Sequence, residues 1–281
     1  MDTTPNSFIE GAGLVLRAPH LNPLLSLSSH DFSTIQWVEL LGDNFLCPDL
    51  PLLEKVDQVR QKVPIVIHLT GLSLASEEPL NEDYLKQVDR LIHRYRPSFI
   101  SDHLCWSVVG NHHLHDLLPF PFTKNALNRI AEKIQQLQNR WQRDFLIENI
   151  SSYLSCESSV QDFAEVDFIN ALIKKADCRL LLDINNVYVS ARNHGYSPLT
   201  FLENVDVSAI RQIHLAGFSK QAHLLIDTHS KKIHEEVWQL FLDFIHKHGP
   251  FPTVLEWDHD LPELSILLEE TKKIASALEG R

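Results

Sequence analysis

Eight short apolar runs rich in β-branched residues, with helix-patterned segments between them, constrain this sequence more than any other feature. They are Gly11–Arg17, Ile35–Leu41, Pro64–Thr70, Phe99–Cys105, Asp144–Ile150, Arg179–Asn185, Arg211–Gly217 and Thr253–Asp258. Most are continuously apolar, as strands buried on both faces of a parallel sheet are. Between them, Leu52, Leu53, Val56 and Val59 repeat at helical spacing. So do Leu85 to Tyr95 behind a capping Asn81, and Leu127 to Leu137 behind a capping Thr123. Phe163–Ala176, Val237–Ile245 and Leu264–Leu278 continue the pattern. The stretch Asn186–Ala209 shows no clear period and reads as loop, with a short helix only around Pro198–Glu203. Strand–helix alternation of this kind predicts an α/β protein, a (β/α)₈ TIM barrel in one domain spanning residues 1–281. A doubly wound sheet that binds dinucleotides is disfavoured, because the glycines of GAGLVLR precede the apolar run instead of following it.

In a parallel barrel every strand delivers its C-terminal residue to one mouth. Here those ends carry Glu39, His68, Asp102, His103, Glu148, Asn149, Asp183, Asn185, His214, Glu256 and Asp258. One strand-end histidine is ordinarily a hydrogen-bonded structural residue. Acids and imidazoles at seven of eight ends are a different matter. Carboxylates gathered in one cleft repel one another and are costly to bury unpaired. The same ends offer no lysine or arginine, so divalent cations are the simple compensator, with histidine and carboxylate as an ordinary ligand set. Nearby loops add His194, Asp227 and His229. Three strand-end imidazoles (His68, His103, His214), two loop imidazoles (His194, His229) and four acids (Glu148, Asp183, Asp227, Glu256) exceed the needs of one ion. The expectation is a dinuclear or trinuclear centre. Glu39 is expected behind a ligand histidine, orienting it or pairing with it, and His20 is expected to reach the mouth from the first loop. His112, His113 and His115, after Gly110, read as the surface of a hairpin tip. Cys105 beside His103 offers a weaker Cys–His alternative.

The net charge of −12, without a basic run, disfavours nucleic acid and anionic membrane surfaces as partners. Four scattered cysteines with no CxxC pair suit reduced thiols in the cytoplasm. The N-terminus lacks a basic start and apolar stretch of the signal-peptide kind.

The strings GAGLVLRAPH, HLTGLSL, SDHLCW, HDLLPFPFT, ENISSY, LLDINNVYVSARNHG, QIHLAG, LLIDTH and VLEWD resemble the motifs of the multinuclear non-haem iron-dependent oxidases, from Gly11 to Leu268. Thr70 and Asp102 depart from the family pattern without removing a ligand. The resemblance implies a xylose isomerase-like TIM barrel holding two or three irons, mixed Fe(II) and Fe(III), with dioxygen as co-substrate. It implies modification of a cysteine in a ribosomally made precursor peptide, presented by a small partner protein; conversion to an oxazolone–thioamide pair is one example. Carried over residue by residue, the metal ligands are His68, His103, Glu148, Asp183, His194, His214, Asp227, His229 and Glu256, with Asn185 as a further one. Glu148, Asp183 and Asp227 take the catalytic roles, Glu148 as the bridging carboxylate. The competing readings are a divalent-metal sugar isomerase or epimerase, a DNA-repair phosphodiesterase disfavoured by the charge, and a non-catalytic metal-handling protein.

Overall fold

The computed structural model describes residues 8–48, 50–110 and 112–280. All eight apolar runs are strands there. In chain order the strands are β1 (Ala12–Leu16), β2 (Trp37–Leu41), β3 (Ile65–Leu69), β4 (Ile100–His103), a hairpin of β5 (Trp106–Val109) and β6 (His112–Leu118), β7 (Phe145–Glu148), β8 (Arg179–Asp183), β9 (Ile210–Leu215), a second hairpin of β10 (Ser219–Gln221) and β11 (Leu224–Ile226), and β12 (Thr253–Leu255). The barrel closes in the order β1-β2-β3-β4-β7-β8-β9-β12, and each of its pairings is parallel. The helices are α1 (Leu21–Leu25), α2 (Ser29–Phe32), α3 (Leu52–Arg60), α4 (Glu82–Tyr95), α5 (Lys124–Trp141), α6 (Glu165–Ala176), α7 (Ile184–His194), α8 (Pro198–Leu202), α9 (Glu235–His248) and α10 (Leu264–Leu278). Both expected caps form: Asn81 Oδ1 accepts from the amides of Asp83 and Tyr84, and Thr123 Oγ1 from that of Ala126.

Two hydrophobic layers hold this frame. The larger lies between strands and helices. The smaller plugs the barrel itself, with Trp37, Val66, Phe99, Leu146, Leu181 and Val254 among its members. Every second residue of a strand faces the same side. Two residues beyond each plug residue therefore stand Glu39, His68, Ser101, Glu148, Asp183 and Glu256, all buried. Gln212 and His214 follow the same step on β9. Each buried plug side chain stabilises the fold by about 1.5–3 kcal/mol, which offsets the polar layer above it. Gly13 makes room for the plug: a Cβ there would lie 2.5 Å from the Trp37 ring.

The region read as loop after β8 is instead helix α7. Asp183 ends the strand and caps the helix in one residue, its carboxylate accepting from the Asn186 amide at 2.6 Å. The buried face of α7 includes Asn185, Asn186 and Ser190, and these polar residues break the apolar period by which a helix is recognised. The hairpin after β4 is present, with His112 and His113 exposed on β6; Asn111 lies outside the described residues. So do residues 1–7, on which the reading of the N-terminus rests. Among the described residues no helix is long and apolar enough to cross a membrane.

Candidate metal centre

The barrel register brings the strand-end groups together. His103 on β4 pairs in register with Glu148 on β7, and Asp183 on β8 with His214 on β9. Glu148 stands at the centre. Its carboxylate lies 3.3 Å from His68 Nε2, 3.3 Å from His103 Nε2 and 3.5 Å from His214 Nδ1. His214 Nδ1 also lies 2.9 Å from Glu256 Oε2. His229 reaches the same carboxylate with Nδ1 at 3.2 Å, and places Nε2 2.7 Å from Asp227 Oδ1 and 4.0 Å from Asp183 Oδ2.

The outer faces of these groups are tied down. Ser101 Oγ lies 2.8 Å from His68 Nδ1, which leaves Nε2 turned toward Glu148. Glu39 lies behind His214, 3.1 Å from Nε2, a position from which a carboxylate can orient or pair with the ring. Gln212 Nε2 donates to Glu39 at 2.5 Å. Asp227 accepts from Asn185 Nδ2 at 2.7 Å and from Ser151 Oγ at 2.9 Å, and its amide donates to the Tyr153 hydroxyl. Asn149 exchanges two hydrogen bonds with the backbone of Asp183, fixing the ends of β7 and β8 against each other. His229 holds a left-handed backbone, φ +42°, as do several helix-capping residues of this chain.

The inner faces are not satisfied. Among the described residues no aligned hydrogen bond reaches either carboxylate oxygen of Glu148, His68 Nε2, Asp183 Oδ2, Asn185 Oδ1 or either ring nitrogen of His229. Buried polar atoms of this kind are rare unless something else occupies the space between them. Three groups have ligand atoms within 4.8 Å of one another: His68, His103 and Glu148; Glu148, Asp183, His214 and Glu256; and His229, Glu256 and Asp258. Ligands on one ion at about 2.0–2.2 Å each lie at most about 4.4 Å apart, so a side-chain shift of a few tenths of an ångström brings each group onto a cation of this size. The first two groups share Glu148 and the last two share Glu256.

The charge balance points the same way. Without a cation, burial disfavours charge on His103, His214 and His229, yet the carboxylates outweigh it. Glu148, with Asp102 and Glu256, pushes His103 up to about 9. Against the same burial, Glu39, Glu256 and Glu148 raise His214, and Asp227 and Glu256 raise His229. Burial drives Asp183 upward, with Glu148 and Asp227 adding to it. Glu256 is held low, against burial, by His229 and His214. The cluster thus borrows protons to neutralise itself, and cations would displace them.

Several expectations need correction. His194 is not in the cluster; it is exposed at the C-terminal end of α7, and its Nε2 lies 2.8 Å from Ser152 Oγ. A helix runs where a loop was expected, and it carries this side chain away from the mouth. His20 is buried but turns its Nε2 to the carbonyl of Pro262 at 2.8 Å and does not line the mouth. Cys105 is buried and its thiol is pushed up by desolvation and by Asp102, unlike an activated nucleophile. Asp258, a strand-end acid left out of the carried-over ligand set, joins the cluster: its carboxylate lies 3.2 Å from His229 Nδ1 and 3.0 Å from Arg17. Ser101 and Gln212 were missed, although each sits two residues before a strand-end histidine and so shares its face. The mouth opens into a cavity of about 440 Å³, and among its described lining residues Arg17 is the one lysine or arginine.

Comparison with known proteins places this geometry in a family. A family model described as RiPP precursor modification enzyme MbnB/TglH/ChrH matches residues 11–279. A UPF0276 protein of Acaryochloris marina (strain MBIC 11017) is 43% identical over 265 residues, 94% of this chain and 94% of the relative. One of Anaeromyxobacter sp. (strain Fw109-5) is 39% identical over 265 residues, covering 94% and 92%. Among solved structures, L-ribulose 3-epimerase matches with a TM-score of 0.57 at 12% identity, over 97% of this chain and 93% of that one. A xylose isomerase domain protein from Alicyclobacillus acidocaldarius matches at 0.51 and 12%, over 96% and 99%. At such identity the likeness is one of fold, and the fold is the expected xylose isomerase-like barrel.

Proposed function

The chain belongs to the MbnB/TglH/ChrH family of RiPP precursor modification enzymes, and from that premise we propose that it is a multinuclear non-haem iron oxidase that modifies a cysteine of its precursor peptide with dioxygen. The observation that carries the reading is a run of buried ligand groups joined through Glu148 and Glu256, with inner-face atoms that no protein group satisfies. His68, His103 and Glu148 would hold one ion, and Glu148, Asp183, His214 and Glu256 a second. His229, Glu256 and Asp258 would hold a third, with Asp227 and its partner Asn185 beside the other ring nitrogen of His229. Iron in these positions would supply one-electron chemistry with dioxygen and favour the thiolate form of a bound cysteine.

The chain's own residues prepare that chemistry. Ser101 and Glu39 fix the rings of His68 and His214, so the ligand nitrogens are oriented before any ion arrives. Ser151, Asn185 and Tyr153 fix Asp227 in the same way. The mouth cavity holds the reacting residue close to this array, which makes the reaction effectively intramolecular. For conversion of the cysteine to an oxazolone–thioamide pair, one dioxygen takes four electrons and four protons and leaves as two waters, and the peptide loses four hydrogens. A small partner protein that presents the peptide belongs to this reading.

The test is anaerobic reconstitution of metal-stripped protein with Fe(II), followed by air, partner and cysteine-containing precursor. Oxygen uptake and a peptide mass change are expected only with iron and the cysteine present. Equal turnover with zinc would overturn the reading. Native magnesium or manganese with ketose epimerisation would establish the sugar epimerase instead, and exchangeable metal without turnover the metal-handling protein.

A further inference from the structure

A second cavity, of about 640 Å³, opens on the same end of the barrel as the mouth. Its lining comes from the residue after β4, the segment after β6, the long connection from β7 to α6, the first turns of α6, and the end of α7 with the residues just after it. The two cavities share a wall. Along residues 151–154 the chain alternates: Ser151 and Tyr153 line the metal-centre cavity, while Ser152 and Leu154 line the second. Successive side chains thus face opposite cavities, so the wall along this stretch is a single chain segment.

The second cavity is built differently from the first. Its floor is aromatic: Phe120 and Phe122 pack edge to face at 5.1 Å, and both contact Phe168 beneath, as does Phe163. Its rim exposes Leu154 (67%) and Tyr196 (37%), two of the few large hydrophobic side chains on this protein's described surface. Exposed apolar groups around a concave site mark binding surfaces. His194, which the metal cluster does not use, belongs here, braced against Ser152 in the shared wall. Glu165 also lines the cavity with no hydrogen bond or ion pair among the described residues, and burial pushes its carboxyl up to about 7. Such a group does not impose a strong charge on an apolar guest near neutral pH.

We propose that this cavity receives an aromatic or large aliphatic side chain of the precursor peptide, a few residues from the one that reacts in the metal-centre cavity. The proposal rests on the peptide-modifying reading above and names where part of its specificity lies. An extended peptide crossing the thin wall would place one residue over the metal centre and a close neighbour over the Phe120–Phe122 floor. Filling the floor would remove water from that guest, and the gain would fall on substrate capture more than on the chemical step.

Cys156 lines the cavity and provides a handle, while exposed Cys47 provides a control. Metal-free wild-type protein is equilibrated with mixed disulfides of benzyl-type and hydroxyalkyl thiols under partly reducing conditions, and adducts are mapped by mass spectrometry. Cys156 is expected to favour the benzyl adduct at least about tenfold over Cys47, and Ser155→Trp, which fills the space from an exposed position, to abolish that preference. Equal selection at both cysteines would overturn the proposal. A second arm uses metal-loaded protein held without oxygen and a cysteine peptide carrying benzoylphenylalanine two or three residues away. Crosslinks to residues 152–165 or 194–196 support the peptide as occupant; crosslinks only elsewhere, or a partner protein protecting Cys156 without peptide, overturn it. Neither arm requires iron–oxygen turnover, so failure of the oxidase reading and failure of this one are separately visible.

Discussion

Replacing Glu148 by glutamine tests the electrostatic logic of the centre most directly. The change keeps the shape of the side chain and removes its charge, so no cavity is created. In metal-free protein at neutral pH, His103 carries a proton, because Glu148 and its neighbours push it up to about 9. At 3.3 Å an opposite charge pair with an effective dielectric constant near 20 is worth about 5 kcal/mol. A rise from 6.5 to about 9 corresponds to about 3.4 kcal/mol, of which Asp102 and Glu256 supply part. Breaking a buried pair from one side costs about 3–5 kcal/mol. Relief of the repulsion between Glu148 and Asp183 works the other way, but Asp183 is driven toward its protonated form in this state, so the lost attraction wins. Glu148→Gln should therefore lower the stability of EDTA-treated protein by about 3 kcal/mol, a fall in melting temperature of roughly 6–12 °C. The loss has a defined pH dependence. His103 is raised above its unfolded value, so its stabilisation is complete below about pH 6.5 and disappears as pH rises through about 9. The gap between wild type and variant, followed by circular dichroism melts at pH 6, 7.5 and 9.5, should narrow with rising pH. The loaded variant should also hold at least one ion fewer by elemental analysis, because Glu148 belongs to two ligand groups. A gap that is constant with pH, or a variant more stable than wild type, would refute the reasoning.

Glu39→Gln should keep the full metal count but weaken affinity by about 10–100-fold in a competitive chelator titration, because Glu39 orients His214 from behind. Loss of an ion from this variant would instead make Glu39 a ligand. Gly217→Ala should destabilise the protein by about 1–3 kcal/mol and lower metal occupancy. The new Cβ would lie 2.4 Å from the Lys231 carbonyl, on the segment that follows His229; an unchanged urea midpoint and metal content would contradict this. Lys133 is buried, donates to the carbonyl of Ser76 at 2.7 Å, and is pushed down to about 8 by burial and Arg129. The unfolded chain then holds more protons between about pH 8 and 10.5, so this group makes stability rise with pH across that window. Lys133→Met should remove that rise from pH-dependent denaturation curves.

The sequence alone determined the barrel, because continuous apolar runs separated by capped amphipathic helices have few other ways to bury themselves. It determined that acids and imidazoles stand at the ends of those runs. It left their partners open. The strand period places His68, Glu148 and Asp183 on inner faces, but only closure and register set Glu148 between three imidazoles, and only packing turned Glu39 toward His214. His194 is expected at the centre because it follows the sixth apolar run and because the family resemblance carries it over as a ligand. Helix α7, concealed by its buried asparagines, carries it to a second cavity instead. Local chemistry is written in residue identity and spacing, whereas which side chains meet depends on rotations and offsets that accumulate over the whole chain and are fixed only when the barrel closes.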